Sequence, residues 1–179
     1  MDKTERTMKT DRIYDGKILS LRVETVELPD KKYSKREIIE HPPAVVIVPV
    51  TSNNEIIMIK QFRKPIEKVI YEVPAGLLEI NESPIDGAIR ELKEETGYHA
   101  DKVEYMTEFY SSPGFCTEKM YIFSAENLEF EEQKLDEDEF IDLEIVPFDR
   151  ALKMIKLGEI MDAKTIAGIL IYNEMRNDE

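Results

Sequence analysis

The sequence predicts an α+β fold in which a mixed β-sheet carries helices packed against it. Three observations lead there. Segments of strand character outnumber segments of helical periodicity. The two kinds are interleaved without the strand–helix–strand rhythm of a parallel sheet. The length, 179 residues, suits one domain with a small appendage and a real core.

Taken in order, a polar lead is followed by strands over residues 12–40: LSLRVETVEL, a PDKK turn, then YSKREIIEH. The alternation of Leu21 and Val23 changes phase before Val26 and Leu28, which predicts a bulge there. HPP at 41–43 closes this piece, and residues 1–43 alone are too few for an independent core. AVVIVPV (44–50) reads as a buried strand, SNN (52–54) as a turn, and EIIMIKQF (55–62) as the next strand. VIYEVPAG (69–76) is a short strand running into a loop. VEYMTEFY (103–110) and MYIFSAE (120–126) are strands on either side of SSPGFCTEK, and FIDLEIVPF (140–148) alternates with period two. Asp149 is placed to cap a helix RALKMIKLG that Gly158 stops, and Asp162 to cap a last helix through AKTIAGILIYNEM.

A hydrophobic content of 42% is ordinary, but 38 acidic residues against 24 basic ones leave a net charge of −14. Such a surface repels nucleic acid and anionic membrane, so a polyanionic substrate has to enter through a locally basic or metal-neutralised site. The longest apolar run, AVVIVPV, is far too short to span a bilayer. The start, MDKTERTMKT, carries no apolar stretch of a signal peptide. A single cysteine, Cys116, excludes an internal disulfide and fits a reducing cytoplasm; with no adjacent His and no helix start beside it, it reads as inert. Only His41 and His99 are available, so a His-rich zinc site or a Ser-His-Asp triad is poorly supplied and carboxylates must carry the chemistry.

The central helix concentrates those carboxylates. Ser83 and Pro84 form an N-cap and first-turn pair with Asp86 at the reciprocal position, and Gly97 is the stop. Ile85, Ala88, Ile89 and Leu92 form an apolar stripe. Glu91 and Glu95 stack beside it, with Glu94 roughly 60–100° further round. Gly87 leaves that flank without bulk one turn earlier, while Arg90 and Lys93 are expected to project elsewhere. Like charges at i,i+4 cost roughly 0.2–0.5 kcal/mol, and acids in the last turn oppose the helix dipole by about 0.3–1 kcal/mol each. Two readings compete: a solvated acidic face on an acidic protein, or stacked oxygen ligands for a hard divalent cation.

The wider stretch GLLEINESPIDGAIRELKEETGY (76–98) resembles the Nudix box: Gly76, Glu82, Arg90-Glu91-Leu92, Glu94-Glu95 and Gly97 stand at its spacing. Tyr98, where an aliphatic residue is usual, is the one departure. KQFRKP, EVPAG, SSPGF and LDEDEF extend the resemblance over nearly the whole chain, toward the ADP-ribose pyrophosphatase branch. Pro113, about fifteen residues past the box, matches a marker of that branch, although a Pro-Gly between strands is also an ordinary turn.

The resemblance implies a Nudix fold, a mixed sheet in an α/β/α sandwich, with an N-terminal β segment at 1–43 for dimerisation and substrate contacts and a hydrolase domain at 44–179. It implies hydrolysis of ADP-ribose to AMP and ribose 5-phosphate with Mg²⁺ (or Mn²⁺), by metal-activated water and a carboxylate base. Glu91 and Glu95 are the implied principal ligands, assisted by Glu94 and the Ala75 carbonyl. Glu82 then positions the loop or a water at the metal, and Arg90 pairs with a neighbouring carboxylate rather than touching substrate. Gly76 and Gly97 are structural members of the box. The base is carried over to LDEDEF as Glu137 or Glu139, with Glu137 favoured by spacing and a box glutamate such as Glu94 as the fallback. Arg63 is placed near the phosphates, Arg36 near the adenosine from a partner subunit, and Glu118 and Gly114 at the substrate. The expected assembly is a cytoplasmic homodimer acting on a small nucleoside diphosphate, without nucleic acid or membrane partners. Another Nudix substrate (a nucleotide-sugar or a dinucleotide) and a non-catalytic nucleotide-sensing module remain alternatives.

Overall fold

The computed structural model describes residues 3–135 and 140–177. Its contacts divide the chain into two units, Met1–Pro43 with Tyr110–Lys119, and Ala44–Phe109 with Met120–Glu179. Among the described residues no helix is long and apolar enough to cross a membrane.

The first unit is a three-stranded antiparallel sheet, β1 (Arg6–Asp15), β2 (Ser20–Glu27) and β3 (Tyr33–Glu40), in that order. The strand signal began at residue 12, whereas β1 starts at Arg6. Nine of its ten residues are exposed, so pairing with β2 rather than apolar alternation holds it. The predicted bulge also moves. β2 pairs with β3 without a break, and the register shifts fall on β1, between Thr7 and Lys9 and between Arg12 and Tyr14. The extra residues Met8 and Ile13 absorb the phase change that the β2 sequence suggested. Residues 110–119 are knitted to β3: Ile39 N–H donates to the Phe115 carbonyl, and Thr117 N–H to the Ile39 carbonyl.

The second unit begins with β4 (Ala44–Pro49), buried along its whole length as its apolar run predicts. β5 (Glu55–Arg63), β6 (Lys68–Glu72) and β7 (Ala75–Leu77) lead to helix α1 (Pro84–Thr96). β8 (Tyr98–Tyr110), β9 (Lys119–Phe130) and β10 (Ile141–Pro147) precede helices α2 (Phe148–Leu157) and α3 (Ala163–Asn177). The strands form one mixed sheet, β7-β4-β9-β8, with β4 and β9 parallel, and one antiparallel sheet, β10-β5-β6.

The alternation along β4 assigns the helices to faces. Val45 and Ile47 cluster with Ala88 and Leu92 of α1, while Val46 and Val48 cluster with Phe148 and Met154 of α2 and Ile169 of α3. The result is an α/β/α sandwich. Asp162 caps α3, accepting from the Thr165 N–H at 3.0 Å. Asp149 does not cap α2. Pro147 occupies the cap position with no side-chain bond, because burial of Phe148 in the core draws it in as the first helical residue.

Candidate metal and diphosphate site

Helix α1 is capped as its sequence predicts. Ser83 Oγ accepts from the Asp86 N–H and donates to its carboxylate, Pro84 opens the helix, and Gly97 ends it in the left-handed region at φ 73°. Its buried face differs from the expected stripe. Ile85 is exposed, and the buried set is Gly87, Ala88, Glu91, Leu92, Glu95 and Thr96. That face lies roughly 60° round from the apolar stripe, so two carboxylates point inward with Ala88 and Leu92. Glu91 is 9% and Glu95 2% exposed. The purely solvated acidic face does not describe them.

Both carboxylates converge on the start of β7. Ala75 N–H donates to Glu95 Oε2 at 2.9 Å, and a Cβ built on Gly76 would fall on the Glu91 carboxylate. Gly76 is therefore required for close approach rather than for a turn. The sheet register adds a third oxygen. Ile47 N–H donates to the Pro74 carbonyl at 2.9 Å, which makes the neighbouring Val46–Ala75 pair the one not bonded across the antiparallel ladder. The Ala75 N–H and carbonyl thus both turn away from β4, at the sheet edge formed by β7, on the side where Glu95 meets the N–H.

Arg90 corrects a second expectation, for it does not project away from the acids. It donates to Glu91 at 2.7 Å and Glu94 at 2.9 Å, grips both oxygens of Glu82 at 2.8 and 2.9 Å, and reaches the Leu77 carbonyl at 3.0 Å. The Glu82 hydrogen bonds foremost, then Glu91 and Glu94, hold the guanidinium pKa above its ordinary value, and the same contact holds Glu82 below its own. Glu82 also accepts the Glu79 N–H at 2.9 Å, fixing the loop before α1. A Cβ on Gly87 would lie 2.6 Å from Leu78 Cδ2, so this glycine admits that loop. Lys93 is turned to Glu131, at 2.6 Å. At the helix end, Lys134 N–H donates to the Glu94 carbonyl and Glu131 N–H to that of Gly97.

Among the described residues, no three His, Cys, Asp or Glu side chains already surround a common point that would hold a metal. Arg90 draws Glu91 and Glu94 to itself, while Glu95 is tied to Ala75. The donor set nevertheless fits a hard dication: carboxylates, a carbonyl off the ladder, and a glycine that leaves room for one of the acids.

The remaining candidates are distributed as follows. Arg63, at the end of β5, forms a two-point ion pair with Glu72 at 2.6 and 2.8 Å. In the first unit, Arg36 is paired with Glu5 and donates to Ser34 at 3.0 Å. Glu118 lies 3.4 Å from His41 Nδ1, and Gly114 has open space where a side chain would stand. Glu137 and Glu139 lie outside the described residues. Cys116 is a free thiol.

Sequence reasoning missed Glu72, which is 1% exposed and also bound by Lys164. The available signal was a charged residue inside the strand-like run VIYEVP, where a buried charge demands partners.

A family model described as NUDIX domain matches residues 40–167. An ADP-ribose pyrophosphatase from Bacillus subtilis (strain 168) is 50% identical over 167 residues, covering 92% of this chain and 90% of that one. A methanol dehydrogenase activator from Bacillus methanolicus is 46% identical with the same coverage. An ADP-ribose pyrophosphatase from Mycobacterium tuberculosis (strain ATCC 25618 / H37Rv) is 32% identical over 92% of this chain and 81% of its own. A solved structure described as an ADP compounds hydrolase superposes with a TM-score of 0.88 over 97% of this chain and 95% of that one, at 21% identity, a likeness of fold. Family match, relatives and the carboxylates gathered on Ala75 and Gly76 agree, and the chain belongs to the Nudix family.

Proposed function

We propose that this protein hydrolyses the diphosphate of ADP-ribose to AMP and ribose 5-phosphate, with Mg²⁺ as its natural cation and Mn²⁺ as a substitute. The observation that carries the reading is the inward pair Glu91 and Glu95 meeting β7 at Ala75 and Gly76. The relatives named ADP-ribose pyrophosphatase supply the substrate class.

Glu91, Glu95, Glu94 and the Ala75 carbonyl would hold a divalent cation, which would supply charge to offset the diphosphate and polarise its phosphoryl group. Arg90 holds Glu91 and Glu94 side by side, limiting their mutual repulsion, and through Glu82 and Leu77 it fixes the loop that shapes the site. Arg63 offers the N–H groups that Glu72 does not engage to phosphate oxygens. Glu118 and Gly114 contact the substrate, and Arg36 reaches the adenosine of a partner subunit. Glu137 or Glu139 takes the proton from the attacking water. The assembly is a homodimer built through residues 1–43, at work in the cytoplasm.

A second reading, a nucleotide-sugar substrate, draws support from GDP-mannose pyrophosphatases of Yersinia, 39% identical over 69% of this chain. The deciding experiment is turnover of ADP-ribose against ADP-sugars, GDP-mannose and diadenosine polyphosphates, with and without Mg²⁺, with products identified. Metal-dependent release of AMP and ribose 5-phosphate at the highest kcat/KM is the expected result. A clear preference for GDP-mannose transfers the assignment to the second reading, and no turnover of any diphosphate defeats both.

A further inference from the structure

We infer that Glu72 is a positioning residue for substrate binding: anchored by Lys164 and Asp162 of the α3 end, it orients Arg63 toward the diphosphate. The inference rests on the proposed role of Arg63 at the phosphates.

Glu72 sits at the end of β6, 1% exposed, and both its oxygens are engaged by Arg63 through Nε and Nη2. A guanidinium is planar with five N–H donors, so a two-point grip on one edge fixes the plane and the direction of the donors left over. Those are the two on Nη1 and the outer one on Nη2, a fork of the kind that suits phosphate oxygens. Arg63 is 39% exposed at its side chain, so the group is buried at its Glu72 end and open elsewhere.

The carboxylate is itself held. Lys164 Nζ, on a side chain 11% exposed, binds Glu72 and stands 3.1 Å from Asp162. Asp162 accepts from Thr165 Oγ1 at 2.6 Å, and Thr165 Oγ1 in turn accepts the Val73 N–H at 2.9 Å. This ring returns to the residue after Glu72, so side chain and backbone are fixed from the same helix end. From Val73 onward the backbone is tied again at Pro74 by Ile47 and at Ala75 by Glu95. One buried network therefore serves both the arginine and the strand that carries the carboxylate-binding amide. Glu95 and Asp162 add to the field that keeps Arg63 charged, after Glu72.

An ionic group is an inefficient way merely to join β6 to α3, because apolar side chains of similar volume do that as well or better. Its use here, ending on a half-exposed guanidinium, is accounted for by orientation.

The test uses the full chain with Mg²⁺ and the variants Glu72→Gln, Arg63→Gln and their combination. Gln cannot accept at both positions, so the fork is lost with little change of volume. Expected for Glu72→Gln is a rise in KM for ADP-ribose of about tenfold with kcat within about threefold, and the same weakening of ADP binding by calorimetry. Arg63→Gln should match it, and the double variant should be no worse than either single one, since both remove one interaction. An unchanged KM in Glu72→Gln, or effects that multiply, overturns the inference. Should Glu72→Gln not fold, Lys164→Gln replaces it, with KM raised about threefold expected and no change overturning. If the wild type binds ADP but leaves ADP-ribose intact, the proposed substrate fails, and ADP affinities across the same variants still decide the inference. Failure to bind ADP at all overturns both.

Discussion

Two clusters of charge in the second unit handle acidic side chains in opposite ways. At the β6–α3 junction, one buried carboxylate, Glu72, has two cations on it, Arg63 and Lys164. Around α1, one guanidinium, Arg90, is shared among Glu82, Glu91 and Glu94, while Glu95 is held by a backbone amide. Among the described ion pairs, Glu72 has two cations on it, whereas three acids of the α1 cluster share one. A carboxylate that has to hold a guanidinium in place is given cations by the chain. Where several acids share one cation in a partly buried setting of oxygen donors, the arrangement suits the dication proposed above.

The largest effect is expected at Glu95. Glu95→Gln keeps an oxygen for the Ala75 N–H, so the melting temperature should stay within a few degrees. Turnover is expected to fall about a thousandfold, ~4 kcal/mol in transition-state terms. Wild-type rates under saturating Mg²⁺ would remove the metal assignment. At the Glu72 cluster removal of the whole side chain should cost folding as well as substrate affinity. Glu72→Ala leaves Lys164 with Asp162 alone and Arg63 without its carboxylate, and denaturant unfolding is expected to show about 2–3 kcal/mol lost, less than for a fully buried pair because Arg63 is open to solvent.

Gly76→Ala separates the two regimes more finely. The added methyl meets the far end of a flexible side chain, Glu91, which can swing aside. Stability should therefore change by less than about 1 kcal/mol, while activity falls at least tenfold if the displaced Glu91 is the metal ligand proposed. Equal losses in both would show that the contact is purely structural.

Acid titration sharpens the Glu72 side. Burial alone would raise the pKa of Glu72, but the Arg63 and Lys164 bonds and charges prevail and hold it below its ordinary 4.5. Between its depressed folded value and 4.5 the unfolded chain binds more protons, so this contribution is complete above 4.5 and is lost as pH falls through the folded value. Urea midpoints measured downward from pH 6 should drop more steeply for wild type than for Glu72→Gln. The smallest effect belongs to the cap that launches α1: Ser83→Ala should cost about 1 kcal/mol, visible in melting temperature, with the rate per folded molecule unchanged.

Local chemistry accounts for what was legible beforehand. Ser83, Pro84 and Gly97 set the limits of α1 because caps act within a turn, and AVVIVPV announced a strand buried on both faces because every position is apolar. The box spacing identified Glu91, Glu94 and Glu95 as a group. β1 was only partly legible, since a strand held by its neighbour's hydrogen bonds needs no apolar pattern of its own. The cap of α2 was misplaced because burial of Phe148 overrode the preference of Asp149 for a cap position.

The sequence by itself therefore determined the succession of elements, the helix that carries the acids, and the family to which they point, all written in short-range spacing. Only the folded chain shows that Glu91 and Glu95 face inward onto Ala75 and Gly76, that Arg90 reaches back to Glu82 and Leu77, and that Glu72 meets Lys164 across 92 residues of chain. Those facts depend on which long-range surfaces meet. The field and burial at a carboxylate come from groups distant in sequence, so no local pattern encodes them.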